Sequence, residues 1–271
     1  EGEVKTATVK KYNGTAASVT VPSALGGYTV TAIGDNAFYR NAALSSVTLP
    51  SGITVVGANA FYSCALLSSV AFPDTLKTIG SWAFSQTAIA RAALPDTVES
   101  IGDYAFRSCG MLTQFDYPKG LASAGKFIFY DCGKLASVAV PEGVTALPAY
   151  VFDYSDCLTT LSLPSTLTAI GEYALTNCGA LTQVSVPAPV KSIGDYAFYQ
   201  CAALKEVSFA AGAALTKVGR FAFMGCAALA ALALPDTVTA LGYAAFMNDA
   251  ALASLPYPAP LTSITPYSQN S

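Results

Sequence analysis

The amino-acid sequence predicts an α/β repeat solenoid, in which similar units stack along one axis and bury their apolar faces against one another. A unit of 23 residues recurs about ten times in the 271 residues, and its apolar positions stay in phase. Hydrophobic residues make up 53% of the chain and charged residues only 11%. Because such an array grows in one direction, we expect a single domain over residues 1–271.

The sequence pattern of each repeat predicts the same order of elements: a strand, a turn, a second short strand and a helical turn. In residues 44–50 (LSSVTLP), apolar and polar side chains alternate as in a half-buried strand, and the proline ends it. Stacked copies predict a parallel sheet with a concave outer face. Residues 167–171 predict a shorter strand closed by a glycine turn, and the acidic start of residues 172–178 favours a short helical turn.

The amino-terminal segment departs from this unit. Residues 4–9 and 18–21 alternate like strands and flank Asn13-Gly14, which predicts a β-hairpin cap. We therefore assign residues 1–30 to a cap and opening segment. About ten repeats follow over residues 31–258, and residues 259–271 form a partial eleventh repeat and tail. Because no leader precedes residue 1 and the last unit is incomplete, we expect a chain trimmed at both ends.

Charge and composition exclude several classes of function. The net charge is -3 and the 14 basic residues are scattered, so we expect no nucleic-acid partner. The most apolar stretch, residues 221–234, is too short to span a bilayer and keeps the repeat phase, so we expect no membrane insertion. Histidine is absent, which removes Ser-His and Cys-His nucleophile pairs. We expect no enzyme activity, no cofactor and no metal.

Acidic residues and cysteines mostly follow the repeat phase. Acids after the glycine or after the proline are explained by capping and turn roles, whereas Asp131, Asp153 and Asp156 leave a weak calcium site as an alternative. Cysteines at one repeat position predict buried free thiols, although the distance between neighbouring copies also permits disulfides. They are Cys64, Cys109, Cys132, Cys178, Cys201 and Cys226. Cys157 alone is out of phase, which makes it the candidate for an exposed thiol.

Two kinds of exposed residue are candidate contacts. Outward positions of the main sheet are mostly small, and larger polar residues project from this background at Arg91, Gln114, Asp116, Gln183 and Glu206. Aromatic residues recur before the repeat alanine at Trp82, Tyr104, Phe127, Tyr150, Tyr173, Tyr196 and Phe221. A second aromatic series follows the phenylalanine at Tyr39, Tyr62, Tyr130 and Tyr199. The aromatic series either cover the edge of the core or form a sugar-binding strip.

The unit I-G-x-x-A-F-x-x-C-x-x-L-x-x-V-x-L-P closely resembles the BspA-like, Treponema-type bacterial leucine-rich repeats, over roughly residues 10–264. The resemblance implies a right-handed leucine-rich-repeat superhelix. It also implies an extracellular or cell-surface protein of host-associated bacteria, since several members are adhesins. That family fixes the residues of the fold and leaves the exposed positions free, so the resemblance assigns no ligand-binding residue.

Three functions remain open at this point. The leading hypothesis is a monomeric recognition or adhesion module that binds a host or neighbouring-cell macromolecule, such as a matrix protein, through a solenoid face. The second is a carbohydrate-binding appendage of a larger secreted enzyme, which predicts that several of Trp82, Tyr104 and Tyr173 are solvent-exposed and coplanar. The third is a structural stalk with no ligand of its own.

Overall fold

The computed structural model describes residues 5–264, in which successive turns of about 23 residues pair through parallel strands. Two compact units divide between Leu135 and Ala136, and each is a β-solenoid. Residues 1–4 and 265–271 lie outside the described part of the chain. The start of the predicted hairpin at Val4 and most of the predicted tail therefore fall outside it as well.

The strands of the first unit are β1 (Thr6–Val9), β2 (Ser18–Thr20), β3 (Ala24–Leu25), β4 (Tyr28–Ile33), β5 (Ser46–Thr48), β6 (Val55–Val56), β7 (Ser69–Ala71), β8 (Thr78–Ile79), β9 (Arg91–Ala93), β10 (Ser100–Ile101), β11 (Gln114–Asp116) and β12 (Ser123–Ala124). The strands of the second unit are β13 (Ser137–Ala139), β14 (Ala146–Leu147), β15 (Thr160–Ser162), β16 (Ala169–Ile170), β17 (Gln183–Val186), β18 (Ser192–Ile193), β19 (Glu206–Phe209), β20 (Lys217–Val218), β21 (Ala240–Leu241) and β22 (Ser263–Ile264).

Two layers of parallel strands run along each unit: a side sheet, and a front layer, here called the front sheet, whose pairing is interrupted between β7 and β9 and between β15 and β17. The front sheet contains the strands in the phase of β5, and they pair as β2-β5-β7 and β9-β11 in the first unit. In the second unit the front strands pair as β13-β15 and β17-β19. The side sheet runs β1-β4-β6-β8-β10-β12 in the first unit and β14-β16-β18-β20-β21-β22 in the second. The predicted parallel stacking of the front strands is confirmed up to β19, whereas residues 229–235 and 252–258 contain no strand, and β22 begins the eleventh turn.

The core is a column of phenylalanine rings between the two sheets and the turn segment. In the first unit Phe38, Phe61, Phe84 and Phe106 are at most 2% exposed and stack with centroids 4.8, 5.2 and 5.4 Å apart. Strand residues such as Val56 and Ile79 close the column from the side sheet. Most repeats place one such ring in the column, and the seventh places the buried Leu175 there, which supplies the apolar contact that joins neighbouring turns.

The third segment of each repeat is not helical, so the predicted helical turn is wrong. In residues 57–64, Ala60, Tyr62 and Cys64 donate N–H bonds three residues back, to Gly57, Asn59 and Phe61. The N–H groups between them instead reach the next repeat, as in Phe61 to the Ala83 carbonyl at 2.8 Å. Alternate bonding of this kind excludes a helix.

Left-handed backbone conformations produce this alternation. Asn59 and Ser63 have φ values of 53° and 56°, and the same two positions have positive φ in the other repeats. Two such residues, four apart, interrupt any right-handed helix. No helix long and apolar enough to cross a membrane occurs within residues 5–264.

The amino-terminal hairpin is also placed differently from the prediction. β1 and β2 do not pair with each other: β1 pairs in parallel with β4, and β2 pairs in parallel with β5. Asn13-Gly14 therefore links a side strand to a front strand, as in the repeats. The hairpin lies instead between β3 and β4, at Gly26 and Gly27, whose φ values of 57° and 81° suit a tight antiparallel turn.

The repeat glycine sits where consecutive turns come closest. A Cβ on Gly80 would lie 2.6 Å from the backbone nitrogen of Ala58 and from the carbonyl carbon of Gly57. A Cβ on Gly102 would lie 2.5 Å from the nitrogen of Ser81. Real Cβ atoms do not approach backbone this closely, so any other residue at this position requires the turns to move apart.

Truncation of one core ring tests the column. Phe106→Ala should lower the free energy of unfolding by about 3–5 kcal/mol, because it removes a fully buried ring and leaves a cavity between neighbouring turns. Chemical denaturation followed by far-ultraviolet circular dichroism measures the change. Leu66→Ala is the control, since Leu66 is 58% exposed. Equal unfolding curves for the two variants would contradict the core assignment.

The close approach at the glycine gives a second test. Gly80→Ala should destabilise the protein by about 1–3 kcal/mol, the usual range for overpacking, because its Cβ meets rigid backbone. Gly110→Ala is the matched control, since a Cβ there meets nothing within 4 Å. We expect the control to be neutral or slightly stabilising. A Gly80→Ala variant with the thermal midpoint of the control would show that the turns are not in contact there.

Candidate functional site

Three of the predicted contact residues come together on the front sheet of the first unit. β9 and β11 pair so that Arg91 lies opposite Gln114 and Ala93 lies opposite Asp116. Ala92 and Phe115 point into the core, which directs the side chains on either side of them outward.

Asp116 is the centre of this group. Its Oδ2 accepts bonds from Arg91 Nη2 at 2.7 Å and Nε at 3.1 Å, and its Oδ1 accepts one from the Gln114 amide at 2.9 Å. The Arg91 guanidinium holds the pKa of the Asp116 carboxyl below its ordinary value. The result is a polar cluster, Arg91-Gln114-Asp116, whose members hold one another in place on the surface.

Two further predicted residues occupy the front sheet of the second unit. Gln183 and Glu206 lie opposite each other in β17 and β19, and both are exposed. The outward residues beside them, Ser185 and Ser208, are small. A groove of about 670 Å³ opens at the ends of these strands between Leu163 and Pro187.

The aromatic residues before the repeat alanine stack face to face. In the first unit Trp82 and Tyr104 lie 4.1 Å apart at 11°, and Tyr104 and Phe127 lie 4.5 Å apart at 7°. All three have positive φ values near 60° and are half-buried. Their faces therefore contact one another, and their edges are the parts that reach solvent.

The second unit repeats this arrangement. Tyr150, Tyr173 and Tyr196 stack at 4.5 Å with interplanar angles of 7° and 6°, and Phe221 follows Tyr196 at 4.8 Å. Burial raises the pKa of Tyr173 to about 12, and the neighbouring tyrosines act in the same direction. The rings are parallel and stacked face to face rather than coplanar, so the coplanar strip of the carbohydrate alternative is not formed and a flat sugar face finds no free ring face within either stack.

One half-buried residue of the turn segment, Arg107, was missed by the sequence analysis. Arg107 follows Phe106, in the position that Tyr39, Tyr62 and Tyr130 occupy in other repeats. Its guanidinium carbon lies 5.4 Å from the ring centroids of both Trp82 and Tyr130. The sequence signal for this residue is an arginine that interrupts a series of tyrosines. The aromatic pattern does not include it because arginine is not aromatic.

The in-phase cysteines are buried free thiols, as predicted, and Cys157 is exposed. Their Sγ atoms donate to the backbone carbonyl of the preceding repeat, as in Cys64 to Phe38 at 3.0 Å and Cys109 to Phe84 at 3.1 Å. Burial raises the pKa of both thiols to about 11. Residues 5–264 contain no group of three or more Cys, Asp or Glu side chains arranged to hold a metal ion, which disfavours the calcium alternative.

Asp249 occupies the cysteine position in the tenth repeat. Its Oδ1 accepts the backbone N–H of Cys226 at 2.9 Å, but its buried Oδ2 has no hydrogen-bond partner among the described residues. Burial raises the pKa of Asp249 to about 7. In the first repeat the same position holds Asn41, whose amide donates to Gly14 and whose oxygen accepts from the following turn.

Comparisons with known proteins agree with this architecture. The family described as BspA type leucine-rich repeat region matches six copies, over residues 31–159 and 145–270. A leucine-rich repeat protein of T. pallidum is 31% identical, with a TM-score of 0.62, over 64% of this chain and 82% of that one. A leucine-rich cell surface protein of Faecalibacterium prausnitzii is 28% identical, with a TM-score of 0.56, over 96% of this chain and 80% of that one.

A leucine-rich repeat protein of Bacteroides ovatus has the same fold, at 22% identity and a TM-score of 0.56, over 95% of this chain and 85% of that one. A search of the curated proteins finds no match.

The environment of Asp249 makes stability depend on pH. Since its pKa is raised in the folded state, the folded protein binds this proton more tightly than the unfolded chain does. This contribution is complete below the unfolded value, about 4, and is lost as the pH rises through about 7. Asp249→Asn should therefore have a higher Tm than the parent at pH 8, and the difference should shrink toward pH 5.

Thermal unfolding at both pH values measures this difference. Asp236→Asn, which alters an exposed aspartate, is the control and should follow the parent at both pH values. The assignment would be wrong if Asp249→Asn were less stable than the parent at pH 8.

Proposed function

Because this chain belongs to the BspA type leucine-rich repeat family, we propose that it is a bacterial surface or secreted recognition module that binds a protein partner through its front sheet. The observation that carries the proposal is the Arg91-Gln114-Asp116 cluster, a fixed group of charged and amide side chains on an otherwise small-residue surface. The proposed location is supported by the similarity to a leucine-rich cell surface protein.

The front sheet has properties that suit protein recognition. Its outward residues beside the cluster are small, as at Ala93 and Ser69, so a partner can approach the strands closely. Successive front strands lie about 4.8 Å apart, so the five front strands of the first unit extend over roughly 20 Å, and a standard interface of about 800 Å² per partner would also include surface beside these strands. The charged cluster then fixes the orientation of the partner rather than supplying most of the affinity.

A non-enzymatic role fits the residues available. The chain has no histidine, and its phased carboxylates bind backbone groups of the next repeat, as Asp35 accepts from the Ala58 N–H at 2.7 Å and Asp103 from the Lys126 N–H at 2.8 Å. Carboxylates held in this way stabilise the contact between neighbouring repeats. The proposed mechanism is binding by a preformed surface.

A charge-reversal experiment tests the front sheet. The double variant Arg91→Asp/Asp116→Arg preserves an ion pair within the chain but inverts the field that a partner meets. We expect it to weaken binding to immobilised matrix glycoproteins by about tenfold or more, measured by interferometry, while the thermal midpoint is unchanged. The matched control is Lys77→Glu/Glu99→Lys, which inverts another exposed ion pair of the same unit, next to the side strands.

Other results of this experiment would contradict the front-sheet site or favour one of the alternative functions. Equal loss in both double variants would assign the effect to charge in general and contradict a front-sheet site. Loss of binding when the glycoproteins are deglycosylated would favour the carbohydrate alternative. No saturable binding by the parent would favour the stalk.

A further inference from the structure

A continuous chain of aromatic rings and guanidinium groups runs along the turn segments of the first unit. Each member contacts the next, and two of the six are arginines. We name it the Arg-aromatic strip, and its members are Arg40, Tyr39, Tyr62, Trp82, Arg107 and Tyr130.

The amino-terminal half of the strip is a stacked pair of tyrosines with an arginine on top. Arg40 lies 5.3 Å from the ring centroid of Tyr39, which stacks on Tyr62 at 5.3 Å and 12°. Tyr62 then meets Trp82 edge to face at 6.0 Å. Tyr39 is 43% exposed, so this half of the strip is open to solvent.

The other half is organised around Arg107. Its guanidinium lies between Trp82 and Tyr130, and the preceding repeat has the small, fully buried Ser85 at the same position. Rings on both sides hold the guanidinium in one orientation and leave its N–H edge available. A guanidinium held in this way is preorganised for two parallel bonds to a carboxylate or a sulfate.

Neither arginine of the strip has an acidic partner within residues 5–264, whereas Arg91 and Arg220 are ion-paired with Asp116 and Asp195. The aspartate of the adjacent turn, Asp131, accepts the hydroxyl of Ser108 at 2.9 Å rather than a guanidinium. The two strip arginines therefore keep their full capacity for an external anion.

The distribution of charge also favours the first unit as the site for an anionic ligand. Residues 5–135 contain ten Lys and Arg and seven Asp and Glu, whereas residues 136–264 contain four and eight. The residues that follow the core position of Phe106 in the second unit include no arginine: they are Asp153, Thr176, Tyr199, Met224 and Met247. Among the described residues, arginines without an acidic partner lie against the rings in the first unit, whereas Arg220 beside Tyr196 in the second unit is ion-paired with Asp195.

The spacing of the strip distinguishes between two kinds of anionic polymer. Its rings follow the repeat, with Tyr39 and Tyr62 5.3 Å apart, which is close to the length of one pyranose residue in an extended chain. An extended peptide advances about 3.3 Å per residue and would lose register within a few repeats. The tyrosine hydroxyls and the indole N–H of Trp82 suit hydrogen bonding to a polyhydroxylated chain, whereas the stacked faces do not suit sugar-ring stacking.

We propose that the Arg-aromatic strip of the first unit binds an anionic polysaccharide, which lies along the stacked turns with a carboxylate or sulfate on Arg107 and a second anionic group near Arg40. This site is separate from the front sheet and does not depend on the protein partner proposed above. The ligand class is a glycan with repeating acidic groups.

The experiment uses the full chain and four polymers: chondroitin sulfate, hyaluronan, neutral dextran and poly-glutamate. Isothermal titration calorimetry at low and high salt measures binding. We expect saturable, salt-sensitive binding of one or both acidic glycans. Hyaluronan carries carboxylates but no sulfates, so its binding distinguishes recognition of carboxylates from recognition of sulfates. Dextran should not bind, and poly-glutamate should bind more weakly. Equal binding of poly-glutamate, or no binding of either acidic glycan, overturns the proposal.

Variants then locate the site. Arg107→Gln should weaken glycan binding by about tenfold, and Arg107→Lys should be nearly as weak because an ammonium neither stacks nor forms paired bonds. Lys77→Gln is the matched control, since it removes the same charge from an exposed position of the same unit that lies in neither proposed site, and it should change affinity less than about twofold. If Arg107→Gln and Lys77→Gln weakened binding equally, the binding would depend on net charge alone and the proposed site would be wrong. Thermal unfolding of each variant excludes loss of fold.

Discussion

The close contact of consecutive turns at the repeat glycine is the constraint on which the rest of the structure depends. Where Gly80 passes Gly57 and Ala58, no side-chain atom separates the two backbones. At this distance the strands of both sheets and alternate N–H groups of the turn segment reach the neighbouring turn. A single repeat makes few hydrogen bonds between its own backbone groups. An isolated repeat is therefore not stable, and the repeats fold together as a stack.

The same contact explains the unusual backbone of the turn segments. Left-handed residues such as Trp82 and Gln86 cost roughly 1–2 kcal/mol each in isolation. The N–H groups of both residues donate to the next turn, Trp82 to Asp103 and Gln86 to Arg107, at 2.9 and 2.8 Å. The conformation also directs the aromatic side chain along the stack, where Trp82 covers Tyr104. Hydrogen bonds and ring stacking between turns together offset the local strain.

Sequence patterns correctly predicted the features that recur in every repeat, such as the core positions. They gave wrong predictions where a local turn or cap signal differed from the pairing imposed by the neighbouring turn. The phase of Phe106 and Cys109 was enough to place both in the core, because every copy must present the same face to its neighbours. The acidic starts of the turn segments resembled helix caps, yet Asp103 accepts the N–H of Lys126 in the next turn. Asn13-Gly14 resembled a hairpin for the same reason: local turn propensity carries no information about pairing 23 residues away.

A periodic scaffold leaves its specificity to the positions that break the period. The front-sheet contacts Arg91 and Asp116 replace small residues and bind each other, so they offer a partner a fixed pattern with little net charge. Arg107 replaces a tyrosine and its guanidinium contacts rings, so no acidic side chain among residues 5–135 pairs with its charge. Because neighbouring turns fix the backbone at both places, little conformational freedom is lost on binding. One repeat architecture can thus present two chemically different surfaces, and their difference follows from whether the exceptional residue has a partner of opposite charge.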